Sequence, residues 1–206
     1  MKLKTRSYTQ TARAEAADAN ARRIADAFVA RLMTQWYDEI TLDRIAEDAG
    51  VTVQTVVRRF GGKEGLLAEA VTTLGARINE TRATVPGDVG GLVKNLIEDY
   101  EQTGDAVVRL LALEQRHSVL KPMLNTGRRF HRDWISGLFA EELDRLDANA
   151  RKRALDALVV VTDVYTWKLL RRDMGRSVAA TGEAIRQLVE ATIDKFTHSK
   201  TSGDRR

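Results

Sequence analysis

The sequence predicts an all-α protein, and three features of its 206 residues support that prediction. Only two prolines, Pro86 and Pro122, interrupt a chain rich in Ala, Leu, Arg and Glu, which favour helix. Apolar residues recur at helical spacing, as Ile24, Phe28 and Leu32 do near the start of the chain. No segment alternates between apolar and polar residues with a period of two, so we expect no sheet.

The expected helices follow one another along the chain. The first covers 11–33, and a break at 35–40 separates it from two short helices on either side of Gly50. Gly61 and Gly62 end the second short helix, and Lys63 begins a longer one that extends to residue 83. Val-Pro-Gly at 85–87 is the clearest boundary in the chain. Beyond it the sequence favours helices over these ranges: 88–102, 105–117, 121–146, 149–173 and 178–197.

The composition excludes several classes of protein. Hydrophobic residues at 43% and charged residues at 30% are typical of a folded globular chain. The absence of cysteine rules out disulfides and thiol nucleophiles and fits a reducing cytoplasm, where we expect the protein to act. The longest apolar run, 157–161, is too short to span a bilayer, and the basic N-terminus lacks the apolar core of a signal peptide. We therefore expect no membrane association.

Positive charge is concentrated near the N-terminus. Residues 1–63 contain 11 Lys and Arg against 8 Asp and Glu, a net charge of +3, whereas the remaining residues contain 22 against 21, a net charge of +1. This distribution favours a phosphate-binding N-terminal region. An ordinary solvated surface explains the charge alone equally well.

Residues 40–67, ITLDRIAEDAGVTVQTVVRRFGGKEGLL, have the pattern of a helix-turn-helix. Thr41 and Thr52 are each suited to cap the N-terminus of a helix. Gly50, between them, can adopt the left-handed conformation that ends the first helix. Two caps this close require two short helices, and we expect the motif to lie between Thr41 and Phe60.

The second short helix has one apolar and one polar side. A helical wheel turns Val53, Val56 and Phe60 toward the core and leaves Gln54 and Arg58 nearly opposite. Arg can pair with guanine and Gln with adenine in the major groove of DNA, and the first turn of a recognition helix usually contacts base edges.

This arrangement assigns a role to six residues. We predict base contacts from Gln54, Thr55 and Arg58. We predict phosphate contacts from Thr41, Arg59 and Lys63, since Lys63 begins a helix whose N–H groups and dipole favour an anion. For any single residue, a merely solvated basic face is the alternative.

The segment from Trp36 to Leu67 resembles the DNA-binding signature of the TetR family of bacterial transcriptional regulators. The shared skeleton consists of Thr41, Ile45, Ala46, Ala49, Gly50, Val51, Thr55, Phe60, Lys63, Glu64, Leu66 and Leu67. Val57 stands where family members commonly carry a phosphate-contacting Tyr, and Trp36 where Gly is common.

The resemblance implies an N-terminal three-helix DNA-binding domain followed by a helical bundle for ligand binding and dimerisation. We place a basic arm at 1–12, the DNA-binding domain with its linking helix at 13–83, the second domain at 84–198 and a disordered tail at 199–206. The implied partners are a double-stranded DNA operator, a second copy joined through the last two helices, and a small-molecule effector. We expect a repressor that binds a pseudo-palindromic operator.

Candidate ligand-binding residues in the second domain are bulky or polar side chains on helices. They are Tyr100, His117, Trp134, Asp163 and Tyr165. Such a set suits an apolar pocket with a few polar groups, although aromatic residues at helical spacing more often belong to a core. Asp163 lies within an apolar run, so a buried carboxylate there needs a partner.

Two other classes of protein compete with a regulator. A helical enzyme is disfavoured because we find no catalytic constellation and assign no catalytic residue and no cofactor. The three histidines are widely spaced, so we expect no metal site. An architectural DNA-binding protein without an effector remains the third possibility.

Overall fold

The protein, seen in a computed structural model, is described for the backbone of residues 4–198 and for the side chains of 15–72, 78 and 82–197. Over these residues the chain is helical and contains no strand, which confirms the all-α prediction. The chain divides into two compact units, Met1–Leu74 and Gly75–Arg206. The tail predicted at 199–206 lies outside the described residues, and the predicted domain limits stay a prediction.

The first unit contains three helices and the beginning of a fourth. They are α1 (Lys4–Thr34), a 3-10 turn (Tyr37–Glu39), α2 (Leu42–Ala49), α3 (Val53–Phe60) and the start of α4 (Lys63–Thr81). Helix α1 begins at Lys4, within the segment predicted as an arm. The stripe of Ile24, Phe28 and Leu32 is buried, as its spacing predicts, and Ile45 and Val56 of the same unit are buried too.

The second unit is a helical bundle built after the end of α4. Its elements are α5 (Val89–Leu113), α6 (Leu120–Leu138), α7 (Ala140–Asp144), α8 (Ala148–Val161), α9 (Val164–Lys168), a π-helical turn (Leu169–Asp173) and α10 (Val178–His198). Trp167 and Phe139 are the largest fully buried side chains of this core. No described helix is both long enough and apolar enough to cross a membrane.

Helix α5 joins two helices that the sequence predicts as separate. The expected break between 102 and 105 is wrong, because α5 runs without interruption through Gly104. Gly104 is buried against the ring of Trp167, and a Cβ placed there would lie 2.5 Å from Cζ3 of that ring. The glycine therefore provides space for a neighbouring side chain, and it does not end the helix.

Two predicted long helices are each divided in the structure. The helix expected at 121–146 bends at Phe139, whose fully buried side chain and non-helical backbone (φ −110°, ψ 27°) separate α6 from α7. The helix expected at 149–173 ends at Thr162, and Asp163 begins α9 in extended conformation. In both places, buried side chains fix a turn within an apolar run.

Candidate DNA-binding surface and ligand cavity

Both short helices of the first unit begin at the predicted caps. The Thr41 hydroxyl oxygen accepts the backbone N–H of Arg44 at 3.4 Å, and that of Thr52 accepts the N–H of Thr55 at 3.3 Å. Gly50 adopts the left-handed conformation (φ 63°) that ends α2. The structure thus confirms the caps and the turn of the predicted helix-turn-helix.

Helix α3 has the two sides that its sequence predicts. Val56 is fully buried, whereas Gln54 and Arg58 are exposed on the other side of the helix. Val57, the position that departs from the family pattern, is 44% exposed on this outer surface. Thr55 is half-buried, and its hydroxyl lies 3.0 Å from that of Thr52 in the cap. The outer surface of α3 therefore presents hydrogen-bonding and cationic groups.

An ion pair that sequence reasoning missed holds α2 against α1. Arg31 donates from Nε and Nη2 to the two carboxylate oxygens of Asp48, at 2.5 and 2.9 Å. This hydrogen-bonded arginine lowers the pKa of Asp48. Arg23 adds a bond from Nε to the backbone carbonyl of Ala49 at 3.2 Å. Together these bonds tie the C-terminal end of α2, just before the turn, to the first helix.

Lys63 lies in a more enclosed place than a phosphate-binding lysine requires. Its ammonium group donates to the backbone carbonyl oxygens of Tyr37 and Ile40, at 2.7 and 2.9 Å. Burial lowers its pKa. Lys63 thus ties the start of α4 to the 3-10 turn, and its predicted phosphate contact is not required to explain its position.

The other predicted phosphate contacts lie at accessible positions. Arg59 is exposed and lies 3.7 Å from the carboxylate of Asp18 on α1, a separation at which an exposed pair contributes little. Thr41 is exposed at the start of α2. The six DNA-contact assignments remain predictions. For Lys63, the structure also offers a structural role as the alternative.

Two short capped helices, with an exposed polar face on the second, define a helix-turn-helix DNA-binding protein. Residues 32–70, from the end of α1 into α4, match the model of the family described as Bacterial regulatory proteins, tetR family. This match supports a DNA-binding domain of the TetR type in the first unit, and with it a DNA-binding transcriptional regulator. No curated protein matched the chain.

The second unit contains a buried polar network that the sequence did not reveal. Arg82, directly after α4, donates from Nε and Nη2 to one carboxylate oxygen of Asp99 on α5. Its Nη1 lies 3.1 Å from Nδ1 of His131 on α6. Nε2 of His131 lies 3.0 Å from the hydroxyl of Thr162, which donates to the carbonyl of Leu158 at 2.7 Å. The network therefore connects the segment after α4 with α5, α6 and α8.

These bonds determine the tautomer of the histidine. A guanidinium group only donates, so Nδ1 of His131 accepts and Nε2 carries the proton that is donated to Thr162. Burial, assisted by the positive charge of Arg82, lowers the pKa of His131 to about 4. His131 is consequently neutral at pH 7, and the charge of Arg82 is balanced by its ion pair with Asp99.

The five predicted ligand-binding residues have different surroundings in the second unit. Tyr100 is buried and donates to the carbonyl of Thr162 at 3.0 Å, and Asp163 accepts the N–H of Tyr165 as the N-cap of α9. Tyr165 is 55% exposed. These contacts give Tyr100 and Asp163 roles in holding the fold.

Of the two remaining candidates, one precedes α6 and the other lies on it. His117 is in the turn that precedes α6, whereas Trp134 is on α6 and donates from its indole N–H to the carbonyl of Arg82 at 3.0 Å. The ring centroids of Trp134 and Tyr100 lie 4.9 and 5.3 Å from the guanidinium carbon of Arg82, so the structure brings these two aromatic residues to the same cation. Among the residues described, no cluster of His, Asp or Glu is placed to hold a metal ion.

A cavity of about 430 Å³ lies beside this network in the second unit. Of the five candidates, Trp134 lines it. The full lining consists of Arg82, Ala83, Thr84, Pro86, Phe130, Asp133, Trp134, Gly137 and Leu138. Its volume is within the range of small-molecule sites. One wall is therefore the segment that follows α4, and the other is one face of α6.

Proposed function

We propose that this regulator is a cytoplasmic repressor that binds a pseudo-palindromic operator as a homodimer and releases it when a small molecule binds. The observation that carries the proposal is helix α3, which begins at a hydrogen-bonded cap and exposes Gln54 and Arg58. A short helix with this exposed face suits insertion into the major groove. Two copies would read half-sites about 34 Å apart on one face of the DNA.

Exposed apolar side chains support dimerisation through the end of the chain. Large apolar residues on α8 to α10 and the turns between them are exposed to solvent: Val160, Tyr165, Leu169, Met174, Val178 and Leu188. Soluble monomers rarely expose so many large apolar groups in one region, and such groups mark protein interfaces. The region coincides with the predicted interface of the last two helices.

The course of α4 supports a connection between ligand and DNA. This helix begins at Lys63, just after the glycines that end α3, and ends at Thr81, next to the cavity residue Arg82. A ligand in the cavity would contact the segment into which α4 continues. If the ligand binds more tightly to a conformer that does not fit the operator, DNA affinity falls by the ratio of the two ligand affinities.

The proposal is tested by selecting bound fragments from the source genome with the purified protein. We expect recovered fragments to share an inverted repeat, and a mobility-shift titration to give a complex of two chains per repeat. Recovery of random sequence, or saturation by one chain per site, would contradict operator recognition by a dimer.

Dimerisation is tested separately by light scattering after size-exclusion chromatography. Leu188→Glu is expected to yield monomers, because it places a charge among the exposed apolar residues of α10. Val85→Glu, which also alters an exposed apolar residue but lies between α4 and α5, is the matched control and should remain dimeric. A monomeric unaltered protein would refute the homodimer.

A further inference from the structure

The cavity of the second unit combines aromatic walls with one carboxylate. Phe130 and Trp134 supply aromatic surface, and Pro86 and Leu138 supply aliphatic surface. Asp133, between the two aromatic residues in sequence, supplies the carboxylate and is exposed. Aromatic faces beside an anion suit an organic cation, because both attract positive charge.

The balance of charge around the cavity is negative. Arg82 is the basic residue of the lining, and its charge is matched by the carboxylate of Asp99, which is 5% exposed and within hydrogen-bond distance. His131, the next member of the network, accepts a bond from Arg82 and adds no charge at pH 7. Asp133 forms no hydrogen bond or ion pair with the described residues. Among those residues, the uncompensated charge on the cavity wall is therefore negative.

The wall that follows α4 is held by bonds that a ligand would adjoin. The indole N–H of Trp134 donates to the carbonyl of Arg82, and the amide of Asn95 donates to the carbonyl of Ala83 at 2.9 Å. The N–H of Gly87 donates to the carbonyl of Leu138 at 2.9 Å. These bonds fix the wall against α5 and α6, so the cavity is formed before a ligand enters.

We propose that this cavity binds a flat aromatic cation, with the rings against Phe130 and Trp134 and the positive charge toward Asp133. This assignment names the chemical class of the effector, and its regulatory meaning rests on the proposed release from DNA. Neutral aromatic molecules gain only the stacking contribution there, and anions are repelled by Asp133.

Isothermal titration calorimetry of the full-length protein without DNA tests the assignment with three acridines that share a ring system. They are 9-aminoacridine (a cation), 9-acridone (neutral) and acridine-9-carboxylate (an anion). We expect the cation to bind about tenfold more tightly than the neutral compound, the gain of a cation–aromatic contact and a partly exposed ion pair combined. The anion should bind most weakly.

Two substitutions with the same change of charge locate the preference. Asp133→Asn is expected to reduce the preference for the cation from about tenfold to about threefold, because the ion pair is lost while the cation–aromatic contact remains. Asp26→Asn removes an exposed carboxylate in the other unit and should leave the tenfold preference unchanged. Both residues are on helix surfaces, and circular dichroism checks that the variants fold alike.

Equal affinities for the three acridines, or an undiminished tenfold preference in Asp133→Asn, would overturn the assignment. Neither result would bear on the proposed operator binding, since the titration contains no DNA. Failure to recover an operator would instead refute the proposed function without touching the cation preference of the cavity.

Discussion

The ammonium group of Lys63 lies 2.7 Å from the backbone carbonyl oxygen of Tyr37 and 4.3 Å from the centroid of its ring. The same ammonium also donates to the carbonyl of Ile40, directly before the cap residue Thr41. One side chain at the start of α4 thus satisfies two carbonyl groups of the segment that leads into α2. The lysine that the sequence assigns to DNA phosphate also has a structural task.

Replacing Lys63 by Met should therefore destabilise the protein in the absence of DNA. Two carbonyl groups lose their donor while the aliphatic part of the side chain is kept, and we expect the free energy of unfolding to fall by about 1–3 kcal/mol. Urea denaturation of the full-length protein measures the change. Arg59→Met is the matched control, since Arg59 is exposed, and should alter stability by less than about 0.5 kcal/mol. Equal stability of the two variants would restrict Lys63 to DNA binding.

The base-contact and phosphate-contact assignments are separated by comparing two kinds of DNA. Gln54→Ala should weaken binding to the operator by about 1–3 kcal/mol and leave binding to random DNA nearly unchanged, because only the operator offers the matching base edge. Arg59→Ala should weaken both and reduce the salt dependence by about one counterion. Fluorescence anisotropy over a series of salt concentrations measures both the DNA affinity and its salt dependence. Losses of equal size on both DNAs for Gln54→Ala would contradict its role in reading bases.

The helix-turn-helix could be predicted from sequence because its signals are local. Thr52 caps a helix through the N–H of Thr55, and Gly50 ends the preceding helix by its own backbone conformation. Each signal involves residues within one turn, and the apolar spacing of α3 then determines which side is exposed. The same reasoning could not foresee that Lys63 contacts Tyr37, which is 26 residues earlier.

The network in the second unit was not predictable for the same reason. Arg82 is 17 residues from Asp99 and 49 from His131, and the sequence around each is typical of an ordinary helix. From the sequence, Tyr100 and Trp134 are ligand candidates by residue type alone. Their common neighbour, the guanidinium of Arg82, becomes apparent only when α5 and α6 pack together.

Gly104 should be intolerant of even one added methyl group. A Cβ at this position would lie 2.5 and 2.7 Å from two ring carbons of the fully buried Trp167, which is also held by a bond from its indole N–H to Glu101 at 2.9 Å. We expect Gly104→Ala to lower the free energy of unfolding by about 1–3 kcal/mol, since an overpacked core must shift.

A second glycine within a helix serves as the control for Gly104. A Cβ added to Gly127 on α6 would meet no atom within 4 Å, so Gly127→Ala should stabilise the protein by about 0.4–1 kcal/mol through the lower entropy of the unfolded chain. Thermal and urea unfolding compare the two variants. Trp167→Leu combined with Gly104→Ala should show a favourable coupling, and strictly additive losses would indicate that the two residues do not compete for space.

His131 should make the protein less stable in mild acid. Burial lowers the pKa of this imidazole to about 4, below the value of about 6.5 in an unfolded chain, so the unfolded state binds more protons between these values. Stability contributed by the neutral histidine is complete above pH 6.5 and is lost as the pH falls toward 4. At pH 5 the linkage amounts to about 2 kcal/mol relative to pH 7.5.

The measurement is the difference in free energy of unfolding between pH 7.5 and pH 5 for three proteins. His131→Gln keeps an acceptor for Arg82 and a donor for Thr162 but does not titrate, so its difference should be smaller than that of the unaltered protein by about 2 kcal/mol. Asn125→Gln, an exposed residue of the same helix that does not titrate, is the control and should retain the full difference. Because the comparison is between two pH values, a general loss of stability in His131→Gln cancels. The same pH dependence in His131→Gln and the unaltered protein would contradict the prediction. It would mean that the folded protein protonates His131 as readily as the unfolded chain does, despite the Arg82 nitrogen 3.1 Å away.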